Sequence, residues 1–334
     1  MNPCWRVFFS LGMLALAGCG RSGPTPVVVY TALDEIYSRP ILDAFEAETG
    51  IPVEAVYDTE AAKTTGLVTR LLNEAARPRC DVFWNNEVAQ TILLKDKGVL
   101  ASYIPEAAAA IPAPFKDPEG YWTGFAARAR VIIYNTELLE TPPTSIWDFL
   151  RPEFRGQGAI AMPLFGTTAT HAAALYALWG AEEAHNFFEL LKGNEVAVLA
   201  SNAEVRDRVA RGDYAFGLTD TDDANGAVED GLPAKWLLPD QDKLGTLLIP
   251  NAVSLIKDAP NAEGARRLID YLLSPTVEKR LAESRSIQIP LNPAVDGQEK
   301  LPVIADIRVL DVSFDAMAAQ METAANQLRE LLVQ

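Results

Sequence analysis

An α/β fold arranged as two successive layer sets is predicted by three observations. Strand-like runs alternate with amphipathic helical runs over most of the 334 residues. The connections between them are short. Two further extended runs, "ARARVIIYNT" and "GTLLIPNAVSLI", bracket the second series and read as strands crossing between two lobes, which places a cleft at the lobe interface.

"VVVYTA" is a short apolar strand. "RPILDAFEAETG" follows as a helix, with Ile41, Leu42 and Phe45 on one face and Gly50 as its stop. "IPVEAVYD" alternates as a strand, and "TTGLVTRLLNEA" is amphipathic. "CDVFWN" and "EVAQTILLKDKG" repeat the strand–helix unit. An irregular part from Leu100 to Gly124 holds Pro105, Pro112, Pro114 and Pro118. Beyond the first crossing run come "GAIAMP", the helix "FGTTATHAAALYALWG" entered at its threonines, and the helix "AEEAHNFFELLKGN". Strand, helix and strand follow in "EVAVLAS", "NAEVRDRVARGD" and "YAFGLT". After the return strand, residues 261–284 are helical with a break at Pro275, and residues 314–332 form a closing helix.

The length and the 49% hydrophobic content suit two domains with a sizeable core. A formal charge of −16 argues against wholesale nucleic-acid binding, which wants a basic face. The N-terminus carries Arg6, then an apolar run from Val7 to Ala17, too short for a good membrane span and of signal length. It ends in "LAGC", which resembles a bacterial lipoprotein signal. Residues 1–18 are therefore expected to be removed, Cys19 lipidated, and residues 19–26 to serve as a tether holding the protein at a membrane, outside the cytoplasm. Cys80 alone then remains, as a buried small residue without a disulfide partner.

In an open α/β sheet, ligands bind beyond the carboxyl ends of the strands. Those ends carry Asp34 and Glu35; Asp58, Thr59 and Glu60; Asn85, Asn86 and Glu87; Thr167 and Thr168; Ser201 and Asn202; and Asp220, Asp222 and Asp223. Helix capping accounts for some, Ser201 or Asn202 among them, and Asp222 by the same logic. The acid-rich ends at 34–35, 86–87 and 220–223 exceed what capping needs, and the last three aspartates crowd what reads as a turn. Brought together, they require positive charge. A hard cation, an ammonium or guanidinium group on a solute, or Arg128 and Arg130 of the chain itself would each supply it. Enzyme motifs are lacking: there is no H-E-x-x-H, P-loop or G-x-S-x-G, and His171 and His185 both lie in helical runs.

"VVVYTALDE", "FEAETGIPVEAVYD", "DVFWNNE", "GFAARARVIIYNT", "SNAEVRDRVARGDYAFGLTDTDDA" and "SRSIQIPLNP" occur in an order that resembles the periplasmic solute-binding proteins of ABC importers, the ferric-iron-binding, transferrin-like group above all. The resemblance covers the chain from Val27 onward. It implies a two-lobed type II periplasmic-binding-protein fold, with residues 27–128 and 246–298 in one lobe and 129–245 and 299–334 in the other. It implies a monomer serving an ABC permease and its ATPase, with no cofactor and no catalysis. In this group a histidine commonly follows the first strand, where Asp34 stands. A glutamate follows the "DVF"-like strand, where Asn86 falls with Glu87 next. Two adjacent tyrosines ligate iron where Asp222 and Asp223 stand. Thr167, Thr168 and Asn202 match positions that hold a synergistic anion, a role to which Asp220 and Arg128 are adjoined. The expected cargo is ferric iron or another hard cation, with Asp222 and Asp223 as chief ligands, Asp34 and Glu87 next, and Asn86, Glu60 and Glu35 behind them. The departures from tyrosine leave two alternatives open. One is a small organic cation or polar metabolite, with Trp84, Tyr30 and Trp122 as cation–π walls. The other is a metal-dependent enzyme of the cell envelope.

Overall fold

The computed structural model describes residues 24–58, 65–295 and 301–333. In the first part, β1 (Val27–Thr31) leads to α1 (Glu35–Thr49), β2 (Val53–Tyr57) precedes α2 (Thr65–Glu74), and β3 (Val82–Asn85) leads to α3 (Val88–Asp96). A two-residue strand β4 (Leu100–Ala101) and two short 3-10 turns replace the irregular segment. The long crossing strand β5 (Thr123–Asn135) follows. The second part runs β6 (Gly158–Ala161), α4 (Gly166–Trp179), α5 (Ala181–Gly193), β7 (Ala197–Leu199), α6 (Asn202–Ala210), β8 (Phe216–Asp220), α7 (Thr221–Glu229) and β9 (Ala234–Leu237). The chain then returns through β10 (Leu248–Ile256), α8 (Ala262–Leu272) and α9 (Pro275–Glu283) to α10 (Phe314–Leu332).

The strands lie in the order β2-β1-β3-β10-β5-β8-β6-β7, with β4 beside β10 and β9 beside β5. β1 is parallel to β2 and β3, and β6 is parallel to β7 and β8, whereas β5 and β10 run antiparallel to their neighbours. β5 belongs to both halves. Residues 123–129 pair with β10, and from Arg130 onward the strand pairs with β8 and β9. Its inner positions are buried, as are all those of β10, which is why both read as near-continuous apolar runs.

The crossing is pinned by a buried carboxylate. Glu278 of α9 accepts from the backbone N–H of Ala126 at 2.7 Å, Leu291 at 3.0 Å and Asn292 at 2.8 Å. Ala126 takes a positive φ of 42° there, opposite a break in register at Pro250/Asn251. α9 thus holds β5 where it bends between the halves. Gly217 brings α6 onto β8, since a Cβ there would lie 2.5 Å from Val205 Cγ1 and 2.9 Å from the Ala159 carbonyl.

Pro275 breaks the helical run as expected: it is the first residue of α9, with Ser274 accepting from Val277 N as the cap. One local reading is corrected. The "TDTDDANG" stretch is not a turn but the start of α7, with Asp220 at the N-cap and Asp222 and Asp223 in the first helical turn. The physical reason is packing: Ala224 and Ala227, three apart, are fully buried where α7 lies on β5, β8 and β9.

Candidate functional site

The parallel strands β1, β2, β3, β6, β7 and β8 each run into a helix, so their carboxyl ends line one side of the sheet where the halves meet. The antiparallel register places Arg130 of β5 directly opposite Asp220, the last residue of β8. Both are buried, and Arg130 Nη1 donates to Asp220 Oδ1 at 2.6 Å. Thr167 at the start of α4 donates to Asp220 Oδ2 at 2.6 Å, and Asn202 Nδ2 at the start of α6 donates to the same oxygen at 3.1 Å. Arg130 also reaches Thr167 and Asn202 at 3.1 Å and Thr168 at 3.2 Å. Burial pulls the Asp220 carboxyl upward, but Arg130, Arg128 and the Thr167 hydrogen bond outweigh it and hold the group below the ordinary carboxylate value. Asp220 is therefore a charged, hydrogen-bonded member of a five-residue network.

Asp222 and Asp223 differ. Oxygens of Asp220, Asp222 and Asp223 lie within 4.8 Å of one another, the one group of this kind among the described residues. The α7 N-terminus offsets part of their repulsion. Their arginine partners stand back: Arg128 Nη1 is 3.5 Å from Asp222, and Arg206 Nη1 is 3.6 Å from Asp223. Asp222 Oδ1 is buried without a hydrogen-bond partner, although the two side chains as a whole keep 24% and 21% exposure. Burial raises Asp222, with Arg128 opposing. Burial, then Asp222 and Asp220, push Asp223 up to about 8 against Arg206 and Arg128. The pair thus lacks close positive partners, and both carboxyls are held above the ordinary carboxylate range.

Arg128 is the hub between halves. Its Nη2 donates to the Asn86 carbonyl at 2.7 Å, and its Nη1 lies 3.5 Å from Asp220. Burial disfavours its charge, but Asp222, Asp220, Asp223 and Asp34 together outweigh that and keep it a cation. Asp34 and the three aspartates therefore share one electrostatic neighbourhood. Asp34 itself is exposed before α1, and Glu35 is exposed and pairs with Arg39 at 3.8 Å. Glu87 is buried, and its carboxylate caps α3, accepting from Ala89 N at 2.7 Å and Gln90 N at 3.1 Å, with Thr170 of α4 donating at 3.0 Å. Burial raises it despite those bonds. Asn86 is buried and contributes its carbonyl. Glu60 and Cys19 lie outside the described residues.

The aromatic walls are a correction. Trp84 and Tyr30 are fully buried, hydrogen-bonding Asn251 at 3.2 Å and Glu74 at 2.8 Å, and Trp122 packs edge-on against Phe314. The phenol near the aspartates is instead Tyr37 of α1, half-buried and raised first by burial, then by Asp222, Asp34 and Asp223, with Arg285 opposing. Its signal was available: it follows Asp34 by three residues on one helix face. Arg206 and Arg285 had no such signal, because neither adjoins the aspartates in sequence. His171 is buried, and burial followed by Arg130 drives it down to about 3, so it is a neutral imidazole. Chemically, the arrangement offers carboxylate oxygens and one phenol to something positive, beside a filled network of donors.

Residues 81–319 match the family described as bacterial extracellular solute-binding protein. The chain is 24% identical to iron uptake protein A1 of Synechocystis sp., over 97% of each chain. It is 25% identical to a putative 2-aminoethylphosphonate-binding periplasmic protein of Salmonella paratyphi A, over 93% of this chain and 89% of that one. A Trichodesmium protein solved in complex with iron and citrate ligands shares the fold at a TM-score of 0.81 and 20% identity, over 93% of this chain and all of that one.

Proposed function

The chain belongs to the bacterial extracellular solute-binding proteins, and from that premise we propose that it captures a hard cation, ferric iron foremost, and delivers it to a membrane permease driven by an ATPase. The fold is the two-lobed type II form, with strands crossing between lobes and a cleft at their interface. Asp222 and Asp223 are the chief ligands in this reading. Asp34 and Tyr37 approach from the first lobe, and Glu87 fixes α3 and α4 behind them. In this reading residues 27–128 and 246–298 form one lobe and 129–245 and 299–334 the other, hinged on β5 and β10, and Cys19 carries the lipid. Among the described residues no helix is long and apolar enough to cross a membrane. No bond is made or broken in this role.

The observation that carries the reading is the aspartate group: oxygens of Asp220, Asp222 and Asp223 lie within 4.8 Å of one another, and the arginines beside Asp222 and Asp223 stay at 3.5 and 3.6 Å. Oxygen ligands in that number suit a hard cation. Iron uptake by the Synechocystis relative supports the choice of metal. A second reading, a small organic cation, is favoured by the same carboxylates and by the amine in the Salmonella relative's named ligand.

A thermal-shift titration of chelator-treated protein lacking residues 1–18 separates these readings. At about 100 times Kd a ligand of the folded state adds about 2.7 kcal/mol. Ferric iron is expected to raise the midpoint, and Asp222→Asn with Asp223→Asn to abolish the rise. A response only to small amines selects the second reading, and turnover of any substrate selects an enzyme. If the double variant responds to iron like the parent, the site lies elsewhere.

A further inference from the structure

We propose that Asp220 is a built-in anion: its carboxylate occupies an oxyanion pocket formed by Thr167, Asn202 and Arg130, and so excludes phosphate, phosphonate and similar groups from this chain's cleft. The inference rests on the cation reading for its consequence, that cargo enters without an oxyanion, but its geometry is independent of any cargo. Both Asp220 oxygens are engaged. Oδ1 takes Arg130 Nη1 at 2.6 Å, and Oδ2 takes the Thr167 hydroxyl at 2.6 Å and Asn202 Nδ2 at 3.1 Å. Thr167 and Thr168 form the first turn of α4, a fourteen-residue helix whose Phe165 cap supplies no side-chain acceptor. A helix start with hydroxyl, amide and guanidinium donors around it is what an oxyanion seeks. Arg130 is 0% exposed and its Nε has no partner, so the pocket still holds an unused buried donor. A second anion beside Asp220 would meet a like charge in a dry setting, with the strongest donors already taken.

The smaller, neutral Asp220→Gly removes the resident carboxylate, empties the space it fills and leaves Thr167, Asn202 and Arg130 in place. Inorganic phosphate is titrated into metal-free protein at constant ionic strength, by calorimetry and thermal shift. The parent is expected to show no response. Asp220→Gly is expected to gain phosphate binding by at least about tenfold, and adding Thr167→Val is expected to abolish the gain. The proposal is overturned if the parent binds phosphate and Thr167→Val removes that binding. It is equally overturned if Asp220→Gly keeps its fold by circular dichroism yet gains no response. Should Asp220→Gly not fold, Asp220→Ser is titrated in its place, and a folded Asp220→Ser without a response overturns the proposal. Because no metal is present, failure here is distinct from failure of the cation reading, which is judged on Asp222 and Asp223.

Discussion

Asp223 is a carboxyl whose neutral form the fold favours. Burial and its two neighbouring aspartates raise its carboxyl to about 8, whereas an unfolded carboxylate titrates near about 3.9. The folded chain therefore binds a proton that the unfolded chain releases. The stabilisation is complete below the unfolded value and disappears as pH rises through the folded one. Melting of metal-free protein between pH 4 and 9 should show a loss of stability that Asp223→Asn reduces; equal curves for both would refute the shift. The same proton should appear on cation binding at pH 7, as about one equivalent in calorimetry across buffers of different ionisation heat, and not with Asp223→Asn. Arg130 is the opposite case. Replacing it with Met strands Asp220 as a buried unpaired charge and should cost about 3–5 kcal/mol in urea unfolding, much of it recovered when Asp220→Leu is added. Losing under about 1 kcal/mol would mean that water reaches Asp220. The strand-end aspartates were legible because acids in such number exceed capping needs. Which of them was already neutralised was not, since Arg130 meets Asp220 only through cross-strand register.

Elements show where local pattern was sufficient and where packing overruled it. Strand and helix alternation, the break at Pro275 and the long crossing strand follow from apolar period and proline chemistry. α7 did not: Asp, Asn and Gly in a row read as a turn, but burying Ala224 and Ala227 on the sheet makes a helix. That change moves Asp222 and Asp223 from a loop to a helix N-terminus, where their charge is better tolerated. Glu87 was read as a ligand candidate, and its carboxylate is spent largely on the α3 cap and Thr170. Glu278 drew no notice in sequence because nothing local marks a glutamate that serves three backbone donors far from its own helix. Glu278→Ala should destabilise by on the order of 3 kcal/mol and loosen β5 at Ala126, seen as faster amide exchange at Ala126, Leu291 and Asn292. Unchanged exchange there would separate α9 from the crossing.

Across the whole molecule, α9 and α7 are tied by contacts outside the sheet. Arg285, just after α9, donates to both oxygens of Asp230 at 2.7 Å beyond the end of α7, and its carbonyl accepts from Asn225 at 3.3 Å. These contacts join the segment after α9 to the helix that carries the aspartates. Both Arg285 and Asp230 are about half exposed, so the pair is worth less than about 1 kcal/mol. Arg285→Ala should therefore weaken cation affinity by less than about fivefold, mainly through faster release, and enlarge the radius of gyration of the loaded protein in X-ray scattering. An unchanged release rate would assign the pair to surface decoration.

The sequence by itself determined the α/β alternation, the family and the strand ends at which ligand chemistry collects, because each is written in local period and residue type. The tertiary structure alone decided which acid is matched by which arginine, that Asp220 is hydrogen-bonded on both oxygens while Asp222 keeps a buried oxygen without a partner, and that Tyr37 rather than the tryptophans shares their electrostatic neighbourhood. Those outcomes depend on strand register and on the approach of two lobes, and charge pairing across such distances leaves no mark in neighbouring residues.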